Sequence, residues 1–167
     1  SKQREETFRD LVFFLTFMPV KHESYVNLYG LDVTEKRIVE QELKQKRDQI
    51  QLLLDSTGEA IYGVNTGGCC TFVNRSFLKL LGYSNPDQLI GKRMHDVIHY
   101  KRIDGTLYPV EECKIYQAFL EGRGTHIDDE VFWKADGSSF PVEYMSYPIY
   151  TNNKIIGSVV TFSDITE

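Results

Sequence analysis

Residues 132–167 read FWKADGSSFPVEYMSYPIYTNNKIIGSVVTFSDITE. Two turn signals, Ala135-Asp136-Gly137-Ser138 and Thr151-Asn152-Asn153, divide this stretch and its approach into three apolar-rich runs: Thr125 to Lys134, Phe140 to Tyr150 and Lys154 to Ser163. Loops this short join antiparallel neighbours, because a parallel return needs a crossover of about a dozen residues or more. The chain therefore closes on three antiparallel strands.

Working upstream, Ala60 to Asn65 and Cys69 to Val73 read as two further strands around the turn Thr66-Gly67-Gly68. Asn74 suits the cap of a helix from Arg75 to Leu81, which Gly82 ends. Asn85-Pro86-Asp87 opens a helical turn to Ile90; Met94 to His99 and Val110 to Leu120 read as helices, and Lys101 to Pro109 as a loop. Two strands, several short helices and three strands give an α+β fold, with a five-stranded antiparallel sheet and helices on one face.

Nearer the start, polar residues 1–9 read as a frayed end. Leu11 to Val20 and Ser24 to Val33 read as a β-hairpin turning at Lys21-His22-Glu23-Ser24. Thr34 offers a cap to a long linker helix over 35–55, which lacks Gly and Pro. Its Val39, Leu43, Ile50 and Leu53 fall at a and d heptad positions, with Lys46 at the remaining d. That pattern suits both a short parallel coiled coil and a single amphipathic helix packed on its own domain. The expected boundaries are 1–34, 35–55 and 56–167.

Composition narrows the partners. Nineteen basic side chains against 24 acidic ones leave a net charge of −5, which offers no broad field for nucleic acid. Cys69, Cys70 and Cys113 form neither a disulfide framework nor a CxxC pair, so a reducing, cytoplasmic setting is expected. The longest apolar run, Leu11 to Met18, falls short of the roughly 20 residues of a membrane helix. A chain that begins Ser-Lys-Gln-Arg without Met is expected to be part of a longer protein.

Five blocks carry a family resemblance: Leu54 to Asn65, Phe72 to Ser84, Leu89 to Lys92, Phe132 to Tyr144 and Ile156 to Glu167. In this order and spacing they resemble a PAS domain over about residues 48–167. The resemblance implies a sensor and dimerisation module of the kind found in histidine kinases, diguanylate cyclases and chemoreceptors. It also implies that the chain itself is not an enzyme. The family's closing motif, Asp-x-Thr, is matched by Asp164 and Thr166, and again by Asp32 and Thr34. Leu11 to Val33 thus resembles the last two strands of a preceding PAS domain. The resemblance further implies that each Asp pairs with a basic residue while each Thr caps the outgoing helix. Two strands cannot cover their own apolar face. A homodimer is therefore expected, with strand swapping as one route, alongside the adjoining PAS and output domains of the parent chain.

Members of this family enclose a cavity that holds haem, a flavin, a small organic acid or nothing. The flavin photochemistry of the light-sensing members needs an Asn-Cys-Arg-Phe block, which this sequence lacks. Tyr62, Phe72, Phe77, Phe132, Tyr144 and Tyr147 are the expected lining. Of the Phe132 and Trp133 pair one faces outward, and Cys69 and Cys70 divide in the same way. His95 and His99 stand four apart, on one face of a helix, and Cys113 opens the next helix. Together they suit a zinc ion, and one His alone suits haem iron. No nucleophile or paired acid and base marks a catalytic centre. Three readings stay open: a ligand or redox sensor, a metal or haem sensor, and a connector whose cavity is filled by side chains.

Overall fold

A computed structural model describes residues 1–166, and the chain divides into two units, residues 1–50 and residue 51 onward. In the first unit, β1 (Lys2–Phe8), β2 (Leu11–Pro19) and β3 (Val26–Asp32) form an antiparallel meander. The expected frayed end is instead a strand: β1 pairs with β2 from Lys2↔Phe17 to Phe8↔Leu11. Its charges hid it, since an edge strand with Arg4, Glu5 and Glu6 shows no apolar alternation. Backbone pairing holds it, with ion pairs Arg4–Glu6 and Arg37–Glu5 beside it. The long helix α1 (Thr34–Ser56) buries none of its residues; Val39, Leu43, Ile50 and Leu53 are all more than half exposed.

In the second unit, β4 (Ala60–Asn65), β5 (Cys70–Val73), β6 (Thr125–Trp133), β7 (Ser139–Thr151) and β8 (Lys154–Asp164) form one sheet in the order β5-β4-β8-β7-β6. Every pairing is antiparallel, as the short turns require. The central strand, β8, lies between β4 and β7. There Gly157 passes so close to β4 that an added Cβ would overlap the Val64 carbonyl oxygen.

Helices α2 (Arg75–Leu81), α3 (Met94–Ile98) and α4 (Lys114–Glu121) contribute Phe77, Leu81, Met94, Ile98 and Ile115 to the core. From the sheet come Tyr62, Phe132, Val142, Tyr144, Val160 and Phe162. Aromatic edges meet faces at its centre, with Phe77 and Phe162 centroids 5.5 Å apart and Phe132 and Phe162 5.1 Å apart. The Asn74 side chain, fully buried, caps α2 by accepting the Phe77 N–H at 2.9 Å.

No helix among the described residues is long and apolar enough to cross a membrane.

Candidate functional site

Between the sheet and α3 and α4 lies a cavity of about 360 Å³. Tyr62 and Val64 of β4, Ser158 of β8, Met94, His95 and His99 of the α3 region, and Cys113 and Tyr116 at the start of α4 wall it. One helical turn separates His95 from His99, so their rings stand 5.8 Å apart on the same side of α3. A short 3₁₀ turn, Val110–Glu112, delivers Cys113 to the head of α4 and aims its thiol at them. Cys113 Sγ lies 3.5 Å from His99 Nδ1, and the donor atoms of all three residues lie within 4.8 Å of one another. The triad expected from sequence is therefore gathered in space, with His99 and Cys113 buried and His95 half-buried.

The hydrogen bonds around the rings fix which nitrogen is free. His95 Nε2 lies 2.7 Å from the Tyr108 carbonyl oxygen; a carbonyl only accepts, so Nε2 carries the hydrogen. His95 Nδ1 is left as a buried lone pair with no hydrogen-bond partner. His99 Nε2 stands 2.9 Å from Glu130 Oε2, within ion-pair range but off the line of a good hydrogen bond.

Glu130 is the residue that sequence reading missed. Tyr144 donates its hydroxyl to Oε2 at 2.7 Å and Tyr108 to Oε1 at 2.9 Å, while Lys114 Nζ lies 3.4 Å from Oε1. A bulge turns Glu130 inward: Ile127 pairs with Tyr144, but Glu130 rather than Asp129 pairs with Val142. The acidic run Asp128-Asp129-Glu130 inside an apolar strand was the available signal.

Electrostatics follow from this packing. Burial disfavours the Glu130 carboxylate, but the His99 ring beside it and the hydroxyl donors of Tyr144 and Tyr108 overcome it and bring the group down to about 2. Burial likewise opposes the Cys113 thiolate, and the His99 imidazole beside it, whose own cation is favoured, draws it down. Burial of His99 disfavours its cation, yet Cys113 and Glu130 raise it above the ordinary histidine range. Cys70, by contrast, is a buried apolar thiol pushed up to about 11, and Cys69 is half-buried.

Of the six expected lining residues, Tyr62 alone faces the cavity. Phe77, Phe132 and Tyr144 are buried in the core beside it. Phe72 and Tyr147 lie on the other face of the sheet: Phe72 covers Gly63, and Tyr147, 55% exposed, lies over Gly124. The two-residue period explains both, since inward Val142, Tyr144 and Ser146 force Tyr147 outward, and inward Val73 does the same to Phe72. Trp133 is half-buried opposite the inward Phe132 and donates to the Lys101 carbonyl at 2.9 Å.

The Asp-x-Thr motifs share one geometry, and it departs from the family expectation. Asp32 Oδ1 accepts the Thr34 N–H at 2.9 Å and its hydroxyl at 2.6 Å, and Asp164 Oδ1 accepts the same two groups of Thr166. No basic residue forms an ion pair with either carboxylate among the described residues. Nor does Thr34 cap α1: its hydroxyl oxygen accepts the Val12 N–H at 2.8 Å, tying the helix start to β2. The same local turn recurs at Asp104–Thr106 and Asp136–Ser138, so the bond pattern is a general one for Asp two residues before a hydroxyl. What sets Asp32 and Asp164 apart is their place at the last residue of a strand.

The sequence model of the PAS domain family matches residues 58–167. The chain is 30% identical over 139 residues to an Escherichia coli protein named as a probable diguanylate cyclase, DgcE, covering 83% of this chain and 12% of that protein. The chain thus spans about an eighth of the length of that curated relative. Among solved structures, a PAS domain from Colwellia psychrerythraea superposes with a TM-score of 0.57 at 24% identity, covering 74% of this chain and 97% of that one. The PAS domain of nitrogen regulation protein NR(II) from Vibrio parahaemolyticus superposes with a TM-score of 0.54 at 16% identity, covering 69% and 96%.

Proposed function

Because the chain belongs to the PAS domain family, we propose that it is a sensory module of a larger signalling protein, which reads a ligand or redox event in the cavity and passes it to flanking helices. The observation that carries this reading is a physical continuity: β8 contributes Ser158 to the cavity wall and then runs on to Asp164 and its turn with Thr166. A change in what fills the cavity repacks that wall, and a displaced β8 re-aims the segment beyond Thr166.

Similarity to a probable diguanylate cyclase and to a nitrogen regulation protein supports a parent of cyclase or kinase type. In this reading the chain senses, and catalysis is the task of other parts of that parent. Dimerisation is part of the same reading. Leu28, Tyr29 and Leu31 of β3 are each more than half exposed, as is the apolar stripe of α1, and such surfaces call for a partner. A second copy supplies one through α1, while the remainder of the PAS domain to which β1 to β3 belong covers those strands.

The test is an absorption spectrum and native mass of protein purified without chelator, with amide exchange of 34–56 compared before and after ligand removal. A retained ion or small molecule whose removal changes exchange is expected. A bare mass with no exchange change under any added ligand would leave a plain connector.

A further inference from the structure

Two buried ring nitrogens of the cavity wall lack a hydrogen-bond partner, His99 Nε2, which stands beside the Glu130 carboxylate, and His95 Nδ1, which has no such neighbour to explain it. A neutral imidazole nitrogen without a donor is costly in the interior unless something answers its lone pair. Two further donors come from its neighbours: His99 Nδ1 and Cys113 Sγ lie 3.5 Å apart, and one ligand atom from each of the three residues lies within 4.8 Å of the others. In a tetrahedral zinc site, bond lengths near 2.0 Å to nitrogen and 2.3 Å to sulfur place those two ligands about 3.5 Å apart. One edge of the tetrahedron is already built.

The surroundings match as well. Metal-bound histidines hold their other nitrogen against a carbonyl or carboxylate, which fixes the ring. Here His95 Nε2 meets the Tyr108 carbonyl at 2.7 Å, and His99 Nε2 stands 2.9 Å from the Glu130 carboxylate, off the line of a good hydrogen bond, so Nδ1 of each ring is the nitrogen left to serve as ligand. Haem fits these donors poorly, because its macrocycle leaves the iron one protein ligand per face, whereas three side chains approach from one side.

We propose that His95 Nδ1, His99 Nδ1 and Cys113 Sγ form a three-ligand site for a divalent ion of the Zn²⁺ type, whose fourth position opens into the cavity. Arriving metal displaces the hydrogen that Cys113 and His99 share, which leaves to solvent. A fourth ligand from the cavity, water or a small anion or thiol, then completes the ion. In resting on the sensory reading for its purpose but not for its chemistry, the site gives the cavity a chemical class of signal.

The test uses Co²⁺ as a spectroscopic stand-in, titrated anaerobically into the reduced 167-residue chain. Expected are one equivalent bound, a thiolate-to-cobalt charge-transfer band, tetrahedral ligand-field bands, and displacement by Zn²⁺. Cys113→Ser removes the charge-transfer band, Cys69→Ser leaves it, and His95→Gln weakens binding by about 100-fold or more. Glu130→Gln weakens it about 10- to 100-fold. Circular dichroism establishes that each variant is folded; if Cys113→Ser does not fold, His95→Gln, at a half-buried position, decides between the outcomes. A band that persists in Cys113→Ser, affinity untouched by His95→Gln, or octahedral cobalt without charge transfer overturns the site. Binding of copper alone overturns the Zn²⁺ assignment. A chain that refuses metal yet retains an organic ligand loses this site and keeps the sensory reading; one that binds metal with unchanged exchange at 34–56 loses the reading and keeps the site.

Discussion

Nε2 of His99 stands 2.9 Å from Oε2 of Glu130, joining the residue that caps α3 to a residue of β6. Both groups are shielded, His99 at 2% exposure and the Glu130 side chain at 12%, so their charges are weakly screened. Tyr144 and Tyr108 complete the carboxylate's shell.

Glu130 should therefore make stability depend on acid. Its carboxyl is held at about 2 in the fold, below the roughly 4.3 of an unfolded chain. A lowered carboxyl contributes stability that is fully present above the unfolded value and is lost as pH falls through the folded one. Metal-free protein should lose about 3 kcal/mol as pH falls from about 5.5 to about 1, and Glu130→Gln should flatten that part of the profile. Urea unfolding across pH checks this; equal profiles for the two proteins would contradict it.

Asn74 should be among the most sensitive positions. Its Oδ1 accepts from the N–H of Ile61 and Phe77, and its Nδ2 donates to the carbonyls of Leu54 and Glu59. It thereby joins the end of α1, β4 and α2. Asn74→Ala strands several buried polar groups, and a loss of about 3 kcal/mol in chemical unfolding is expected. A loss below about 1 kcal/mol would show that water takes over these bonds.

Thr34→Val should act locally. Removing the hydroxyl leaves the Val12 N–H without a partner and the Asp32 carboxylate with the Thr34 N–H as its remaining donor. Faster amide exchange at Val12, with about 1 kcal/mol lost, is expected, and Thr34→Ser should restore both. Unchanged exchange at Val12 in Thr34→Val would contradict the tie to β2.

Gly157→Ala should disrupt the sheet centre, because the new methyl would occupy the space of the Val64 carbonyl. Separation of β4 from β8 and a loss above about 3 kcal/mol are expected, read by thermal unfolding. A variant as stable as the parent would mean the strands can move apart freely.

Dimerisation should be sensitive to the α1 stripe. Sedimentation should show self-association at micromolar concentration that Leu43→Lys and Ile50→Lys together abolish, since both side chains are exposed at heptad a positions. A monomer at every concentration would remove the helix from the dimer.

The fold of the second unit is legible in its residues alone. Turn residues at 66–68, 135–138 and 151–153 set strand connections, and alternating apolar residues set which faces are buried, because these signals are local. Alternation also carried the sidedness of Phe72 and Tyr147, which an aromatic count obscured. Local signals did not extend to β1, whose order comes from pairing with β2.

The site, by contrast, exists only once the chain is packed. His95 lies in α3 and His99 caps its end, but Cys113 reaches them through the loop from Tyr100 to Pro109, whose path no sequence period encodes. Glu130 faces inward because a bulge shifts the pleat by one residue, and a bulge arises from competition between two strands. The tautomer of His95 depends on a carbonyl thirteen residues away. Periodicity is a property of neighbours along the chain, whereas convergence of donors on one point is a property of packing.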